Sequence, residues 1–293
     1  MIASTLLLGS AICAVWLPSL RLGTHAIPLW SALLGMAVIA ALTSNQVTPW
    51  GALVIVGLLG SATAAVTSAD RRRAELFFVL SMVLAIELGT QAVPGFASGV
   101  WAGPVRLTPD ATSMRVIFRF DQGVVGLVLV AFFCRRIERL GELRSIVRPT
   151  LAATVATTLI VIALAALLGV VRFEPKLPGI VGAQFASLLL WTSVLEEGFF
   201  RGIVQERLTN AAFIASRPRL AWLPAVISAA LFGLAHAAGG PGYVFLASIA
   251  GLGYSAVYSV TRRIEAPIVV HFLLNATHFI AFTYPSLSMG VQK

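Results

Sequence analysis

Three short polar motifs lie inside otherwise apolar stretches of the C-terminal third of the chain. They are Glu196-Glu197-x-x-x-Arg201, Phe232-x-x-x-His236 and His271-x-x-x-Asn275. An ionisable group at membrane depth costs on the order of 2.5–3.5 kcal/mol on insertion scales. Two carboxylates, two imidazoles and an amide in such surroundings therefore indicate a functional site.

Helical spacing separates the two carboxylates of the first motif. Glu197 and Arg201 are four residues apart with the acid first, which favours an intrahelical ion pair. Glu196 is turned by about 100° to a neighbouring face of the helix. We expect Glu196 to be the carboxylate that is free for chemistry. The alternative is a structural network in which all three charges hold helices together.

The two histidine motifs would complete a site if the three helices converge. Phe232 and His236 share one helix face, and His271 and Asn275 share another. A buried carboxylate can act as a general base toward water, with an imidazole to orient it. An imidazole and an amide can donate hydrogen bonds to a developing oxyanion. This inventory is that of a hydrolytic site.

The composition predicts that helices in a membrane position these residues. The chain is 58% hydrophobic and only 11% charged, with a mean hydropathy of +0.91. We predict an all-α, polytopic bundle of roughly ten transmembrane helices. In the ninth span, Ala247, Gly251 and Ser255 recur every four residues, which predicts a packing face outside the site. The predicted spans are residues 2–20, 27–44, 50–69, 76–94, 116–134, 149–171, 178–208, 220–238, 242–260 and 265–284.

The net charge of +9 comes from basic residues whose positions predict the membrane topology. They do not indicate a nucleic-acid partner. The arginines are dispersed in loops, and no basic helix is interleaved with exposed aromatic residues. They concentrate in alternate loops, which by the positive-inside rule places both termini outside the cytoplasm and the basic loop 207–219 inside. The chemistry also divides the chain, into an N-terminal transmembrane extension (1–150) and a C-terminal domain that carries the site (151–293).

At the three motifs the sequence resembles the family of type II CAAX prenyl endopeptidases and bacteriocin-processing (Abi, or CPBP) proteins. Residues 196–202 resemble the first family motif, residues 232–236 the second and residues 266–275 the third. Each motif alone is weakly specific, but their order in consecutive apolar segments is specific. The resemblance covers residues 178–283 and leaves the first five spans unexplained.

The resemblance implies an intramembrane, glutamate-type endopeptidase of a bacterial plasma membrane. Glu196 with His236 would activate water, and His271 with Asn275 would form the oxyanion hole. Glu197, Arg201 and Phe232 would support the site. Some family members are proposed to act on C-terminal sorting tails of exported proteins, and others in bacteriocin self-immunity. The implied partners are the lipid bilayer and a membrane-anchored protein or peptide substrate.

Three alternatives stay open at the level of sequence. Zinc could be held by Glu196, His236 and His271, but the chain lacks a His-Glu-x-x-His motif, so we favour a site without a cofactor. An ion-coupled transporter would also use intramembrane Glu and His, although no inverted repeat is evident. A non-catalytic immunity protein could retain the same residues.

Overall fold

The chain is mostly helical and divides into two compact units in a computed structural model. The structure describes residues 1–23 and 25–288. One unit combines Met1–Val100 with Ile117–Cys134. The other combines Trp101–Val116 with the chain from Arg135 onward, and it contains all three motifs.

The first unit is built around a short, almost completely buried helix. Its helices are α1 (Ile2–Ala14), α2 (Leu29–Thr43), α3 (Pro49–Thr67), α4 (Arg71–Gly89) and α5 (Phe120–Phe133). Ten of the fourteen residues of α5 are buried, and α5 packs against α1, α3 and α4. A helix that is apolar on all sides takes such a central position. Side-chain caps define two helix starts: Thr48 accepts from the Gly51 N–H, and Asp70 from the Arg72 N–H.

The second unit contains one long helix that changes type along its length. It runs from Val181 to Asn210 as α7 (Val181–Ala186), a first π segment (Ser187–Ser193), α8 (Val194–Glu197), a second π segment (Gly198–Gln205) and α9 (Glu206–Asn210). The other elements are α6 (Leu140–Leu167), α10 (Ala212–Ala215), a 3₁₀ turn (Pro218–Leu220), α11 (Leu223–Ala235), a 3₁₀ turn (Ala237–Gly239), α12 (Pro241–Thr261) and α13 (Glu265–Ala281).

Helix α12 packs closely against both α11 and α6. A Cβ atom on Gly233 of α11 would lie 1.9 Å from Ser248 Oγ of α12, so only glycine permits this approach. A Cβ atom on Gly253 of α12 would lie 2.1 Å from Thr157 Oγ1 of α6. Small residues allow such contacts in membrane bundles. Phe232, Tyr254, Val270 and Leu274 belong to the core that results.

Four helical runs in the described part of the chain are long and apolar enough to cross a membrane. They are Pro49–Thr67, Leu140–Leu167, Pro218–Ala235 and Pro241–Thr261. Helices α1, α2 and α5 are apolar but have only 13, 15 and 14 residues. A perpendicular crossing needs about 20 residues. The helices support an integral membrane protein, but the number of ten crossings is not confirmed.

Two short strand pairs lie in connections of the otherwise helical chain. Strands β1 (Leu20–Leu22) and β2 (His25–Ile27) pair antiparallel, and strands β3 (Gly99–Val105) and β4 (Met114–Phe118) pair with each other. The fifth predicted span began at residue 116, within β4. Met114, Val116 and Phe118 are buried alternately, which is the two-residue period of a strand, and α5 begins only at Phe120.

Candidate active site

Glu196 and Glu197 lie at the end of the four-residue stretch α8, between the two π segments. In π helix the backbone bonds run from i to i+5, and such segments occur frequently at functional sites. At the first segment, Ser193 Oγ also donates to the Leu188 carbonyl at 2.8 Å. The irregular backbone is therefore concentrated on both sides of the acidic pair.

Glu197 and Arg201 form the expected ion pair, with both side chains 0% exposed. Arg201 Nη1 donates to Glu197 Oε1 at 3.2 Å, and Nε lies 3.2 Å from Oε2. Arg201 Nη2 donates to the Gly251 carbonyl of α12 at 2.9 Å. The guanidinium carbon lies 4.7 Å from the centre of the Phe232 ring and 5.2 Å from that of Tyr254. The buried charges are thus compensated by each other, by a carbonyl dipole and by two aromatic faces.

His271 of α13 is bonded to the same carboxylate. Its Nδ1 lies 2.7 Å from Glu197 Oε1, and the side chain is 4% exposed. The imidazole stacks on Tyr254 with ring centres 4.6 Å apart and planes 15° apart. A carboxylate paired with arginine accepts hydrogen bonds, so the proton belongs on Nδ1. The Nε2 atom is then the ring nitrogen that faces Glu196.

His236 caps the end of α11 in a similar way. Its Nδ1 lies 2.8 Å from the carbonyl oxygen of Phe232, which is among the last four carbonyls of the helix. A carbonyl can only accept, so this Nδ1 also carries the proton. The chain then turns at Gly240, whose φ of 84° favours glycine. The Nε2 atom of His236 is left to face Glu196.

Glu196 faces both histidines without bonding to either. Its Oε2 atom lies 4.0 Å from His236 Nε2 and 3.9 Å from His271 Nε2. The side chain is 26% exposed, yet Oε2 is buried and has no hydrogen-bond partner among the described residues. Three polar atoms, Glu196 Oε2 and the two Nε2 atoms, therefore face one small space. Their separations exceed direct hydrogen bonds and suit a water molecule that donates to two of them.

Asn275 and Phe232 differ in how closely they join this group. Phe232 is 3% exposed, and its ring contacts His236 at 4.7 Å and His271 at 5.7 Å. Asn275 is half-buried one turn after His271, and its amide makes no hydrogen bond within residues 1–23 and 25–288. Phe232 thus packs against both imidazoles, whereas the N–H groups of the Asn275 amide remain available as hydrogen-bond donors.

Sequence reasoning missed two contributors to the site. Tyr254 stacks on His271, and the Gly251 carbonyl accepts from Arg201. Gly251 belongs to the stripe that we expected only to pack helices. A buried aromatic in an apolar helix gives no functional signal, and a backbone carbonyl is invisible to residue type. The close glycine-mediated approach of α12 is the one feature that could have indicated an exposed carbonyl.

Both site histidines bond through Nδ1 and direct Nε2 toward Glu196. In the described ranges, no group of three or more His, Cys, Asp or Glu side chains has the arrangement of a metal site. Histidines that bind metals commonly donate Nδ1–H to a carboxylate or carbonyl, as His271 and His236 do here. The same arrangement also serves histidines that bind water.

Comparison with protein families assigns the chain to a class. The model of the family described as type II CAAX prenyl endopeptidase Rce1-like matches residues 124–277. The match covers more than half of the chain, includes all three motifs and begins well before residue 178. The chain therefore belongs to this family of intramembrane proteases, also named CPBP. Comparisons with curated proteins and with solved structures gave no match.

Proposed function

We propose that the protein is an intramembrane endopeptidase that hydrolyses peptide bonds of membrane-associated proteins. The observation that carries the proposal is the position of Glu196 Oε2, 4.0 Å from His236 Nε2 and 3.9 Å from His271 Nε2. Family membership supports the class of reaction. The buried pair of Glu197 and Arg201 supports Glu196 as the reactive member of the two acids, because both oxygens of Glu197 are already engaged.

In the proposed reaction, Glu196 and His236 activate a water molecule held between them. Glu196 takes a proton from the water while the water oxygen bonds to the carbonyl carbon of the scissile peptide. The negative charge moves to the carbonyl oxygen. The proton is then delivered to the peptide nitrogen as the carbon–nitrogen bond breaks. Glu196 is returned as a carboxylate, so no residue remains modified.

His271 and Asn275 are proposed to stabilise the oxyanion. Asn275 can donate an amide N–H without gaining a proton. His271 Nε2 can donate only when the ring is an imidazolium, because Nδ1–H is directed at Glu197. The Glu197 carboxylate would stabilise that imidazolium. The two proposed donors therefore differ in kind, one fixed and one dependent on proton uptake.

We further propose membrane-anchored tails of exported proteins as substrates, in a bacterial plasma membrane. The sidedness predicted from the basic loops supports this choice. Each of the ten predicted spans overlaps a helix of the described chain, and ten crossings are part of the proposal. The role of residues 1–150 as an extension and of 151–293 as the protease domain is proposed on the same basis.

The test compares the N- and C-terminal peptides of membrane proteins in cells that express wild-type protein or Glu196→Gln. The variant keeps the shape of the side chain and removes its basicity. At least one membrane protein should accumulate uncleaved in the variant. Glu87→Gln is the matched control, because Glu87 is an exposed acid in the apolar helix α4 of the other unit. Identical termini in wild-type and Glu196→Gln cells, with both proteins present at equal level, would contradict the proposal.

A further inference from the structure

Tyr254 is the aromatic residue that holds the plane of the His271 ring. Its side chain is 1% exposed, and the two rings are nearly parallel, with centres 4.6 Å apart. We infer that Tyr254 is a positioning residue of the peptidase that acts through His271. This inference rests on the proposed function and adds a residue that the motifs do not contain.

A single hydrogen bond does not fix the direction of an imidazole. The bond from Nδ1 to Glu197 is the one hydrogen bond of the His271 ring to the described chain. Rotation about that bond would swing Nε2 away from Glu196. Tyr254 covers one face of the ring, and the Phe232 ring meets His271 nearly edge-on at 86°. The aromatic pair therefore removes the rotation that the hydrogen bond leaves free.

The same tyrosine is fixed by its own surroundings. The Phe232 ring packs nearly perpendicular to it at 5.8 Å, and the Arg201 guanidinium lies 5.2 Å from its centre. Its hydroxyl makes no hydrogen bond within the described residues. The contact with His271 thus depends on the ring and not on the hydroxyl. Phenylalanine should therefore replace Tyr254, whereas an aliphatic residue should not.

The experiment measures kcat and KM of the purified full-length protein on a substrate identified by the comparison above. Tyr254→Leu should lower kcat about 10- to 100-fold, since a displacement of about 1 Å in catalytic groups can cost 100-fold. KM should change less than about twofold, because the Tyr254 side chain is buried behind His271 with 1% of its surface exposed. Tyr254→Phe should retain wild-type kcat. If Tyr254→Leu does not accumulate, Tyr254→Met fills the gap with a flexible side chain and carries the same expectation.

Tyr258→Leu is the matched control. Tyr258 lies one turn further along α12, is 0% exposed, and donates to Glu206 at 3.0 Å. Its loss should lower stability at least as much as the loss of Tyr254 and leave kcat unchanged. Equal kcat losses in the two leucine variants would assign the effect to general packing and overturn the inference. Wild-type kcat in Tyr254→Leu, or loss of kcat in Tyr254→Phe, would also overturn it. None of these results affects the proposed function, which fails only if Glu196→Gln remains active.

Discussion

His271 and Glu197 are joined by a 2.7 Å contact between Nδ1 and Oε1, and the same carboxylate pairs with Arg201. Two adjacent glutamates therefore have opposite surroundings. Glu197 is 0% exposed with both oxygens engaged, whereas Glu196 is 26% exposed and accepts no hydrogen bond from the described residues. One acid is engaged by the side chains around it, and the other is the acid that we propose as the base.

Glu197→Gln should destabilise the protein much more than Glu196→Gln. Removal of one partner of a buried ion pair costs about 3–5 kcal/mol, because the other charge stays buried without compensation. The midpoint of thermal unfolding in detergent should fall clearly for Glu197→Gln and change little for Glu196→Gln. Equal midpoints for the two variants would mean that Arg201 is compensated without Glu197.

The sequence predicted part of the site because part of it is local. The pair of Glu197 and Arg201 follows from a spacing of four residues on one helix. The bond between Glu197 and His271 joins residues 74 positions apart, so it depends on how α8 and α13 pack. Residue spacing within one helix cannot predict such a contact. The π segments on either side of the acids were likewise not predicted from the sequence.

The helices could be predicted from hydropathy, whereas strand β4 could not. The ten apolar stretches predict helices, because backbone that faces lipid must satisfy its own hydrogen bonds. The apolar residues 116–118 predict the start of the fifth span. These residues belong to β4 instead, which pairs with β3 and in which burial alternates.

Asn275→Ala should slow turnover and leave stability unchanged. The Asn275 amide makes no hydrogen bond in the described chain, so its removal leaves no internal partner unsatisfied. Loss of one oxyanion donor costs about 10²- to 10³-fold in kcat. Asn210→Ala, which removes an amide bonded to Glu206 at 2.9 Å, is the control and should keep its turnover. If KM rises in Asn275→Ala while kcat holds, Asn275 contacts the substrate instead.

Treatment of the purified enzyme with a strong chelator should leave activity unchanged. The expectation follows from the absence of a His-Glu-x-x-His motif, which a zinc peptidase of that type would use. Elemental analysis should find no stoichiometric zinc. Activity that is lost on chelation and restored by zinc would make His236 and His271 metal ligands, a role that their bonded Nδ1 atoms would also suit.

Gly233→Ala should weaken the packing of α11 on α12. Its Cβ atom would lie 1.9 Å from Ser248 Oγ and 2.8 Å from the Val244 carbonyl oxygen. Overpacking of this kind costs about 1–3 kcal/mol. Thermal unfolding should show a lower midpoint than for Gly242→Ala, where a Cβ atom would meet open space. Similar midpoints would show that the two helices can move apart without loss.

The charged end of the second unit supports one orientation in the membrane. Glu206 at the start of α9 is bonded to Arg262 at 2.7 Å and lies 3.6 Å from Arg135. Three basic connections therefore meet at one end of this unit, those that begin near Arg135, Arg207 and Arg262. The positive-inside rule assigns such an end to the cytoplasm. The turn after His236 lies at the opposite end of α11, so the site should be reached from outside.

Single cysteines on the two turns should show this sidedness, in a background that lacks Cys13 and Cys134. Ser216 and Ala238 are both exposed and lie before and after α11. Ala238 is preferable to Gly240, since the φ of 84° at Gly240 would strain a cysteine. An impermeant thiol reagent should label Ala238→Cys on intact cells, and Ser216→Cys only after the membrane is opened. The reverse pattern would place the approach to Glu196 on the cytoplasmic side, and tails of exported proteins would then be the wrong substrates.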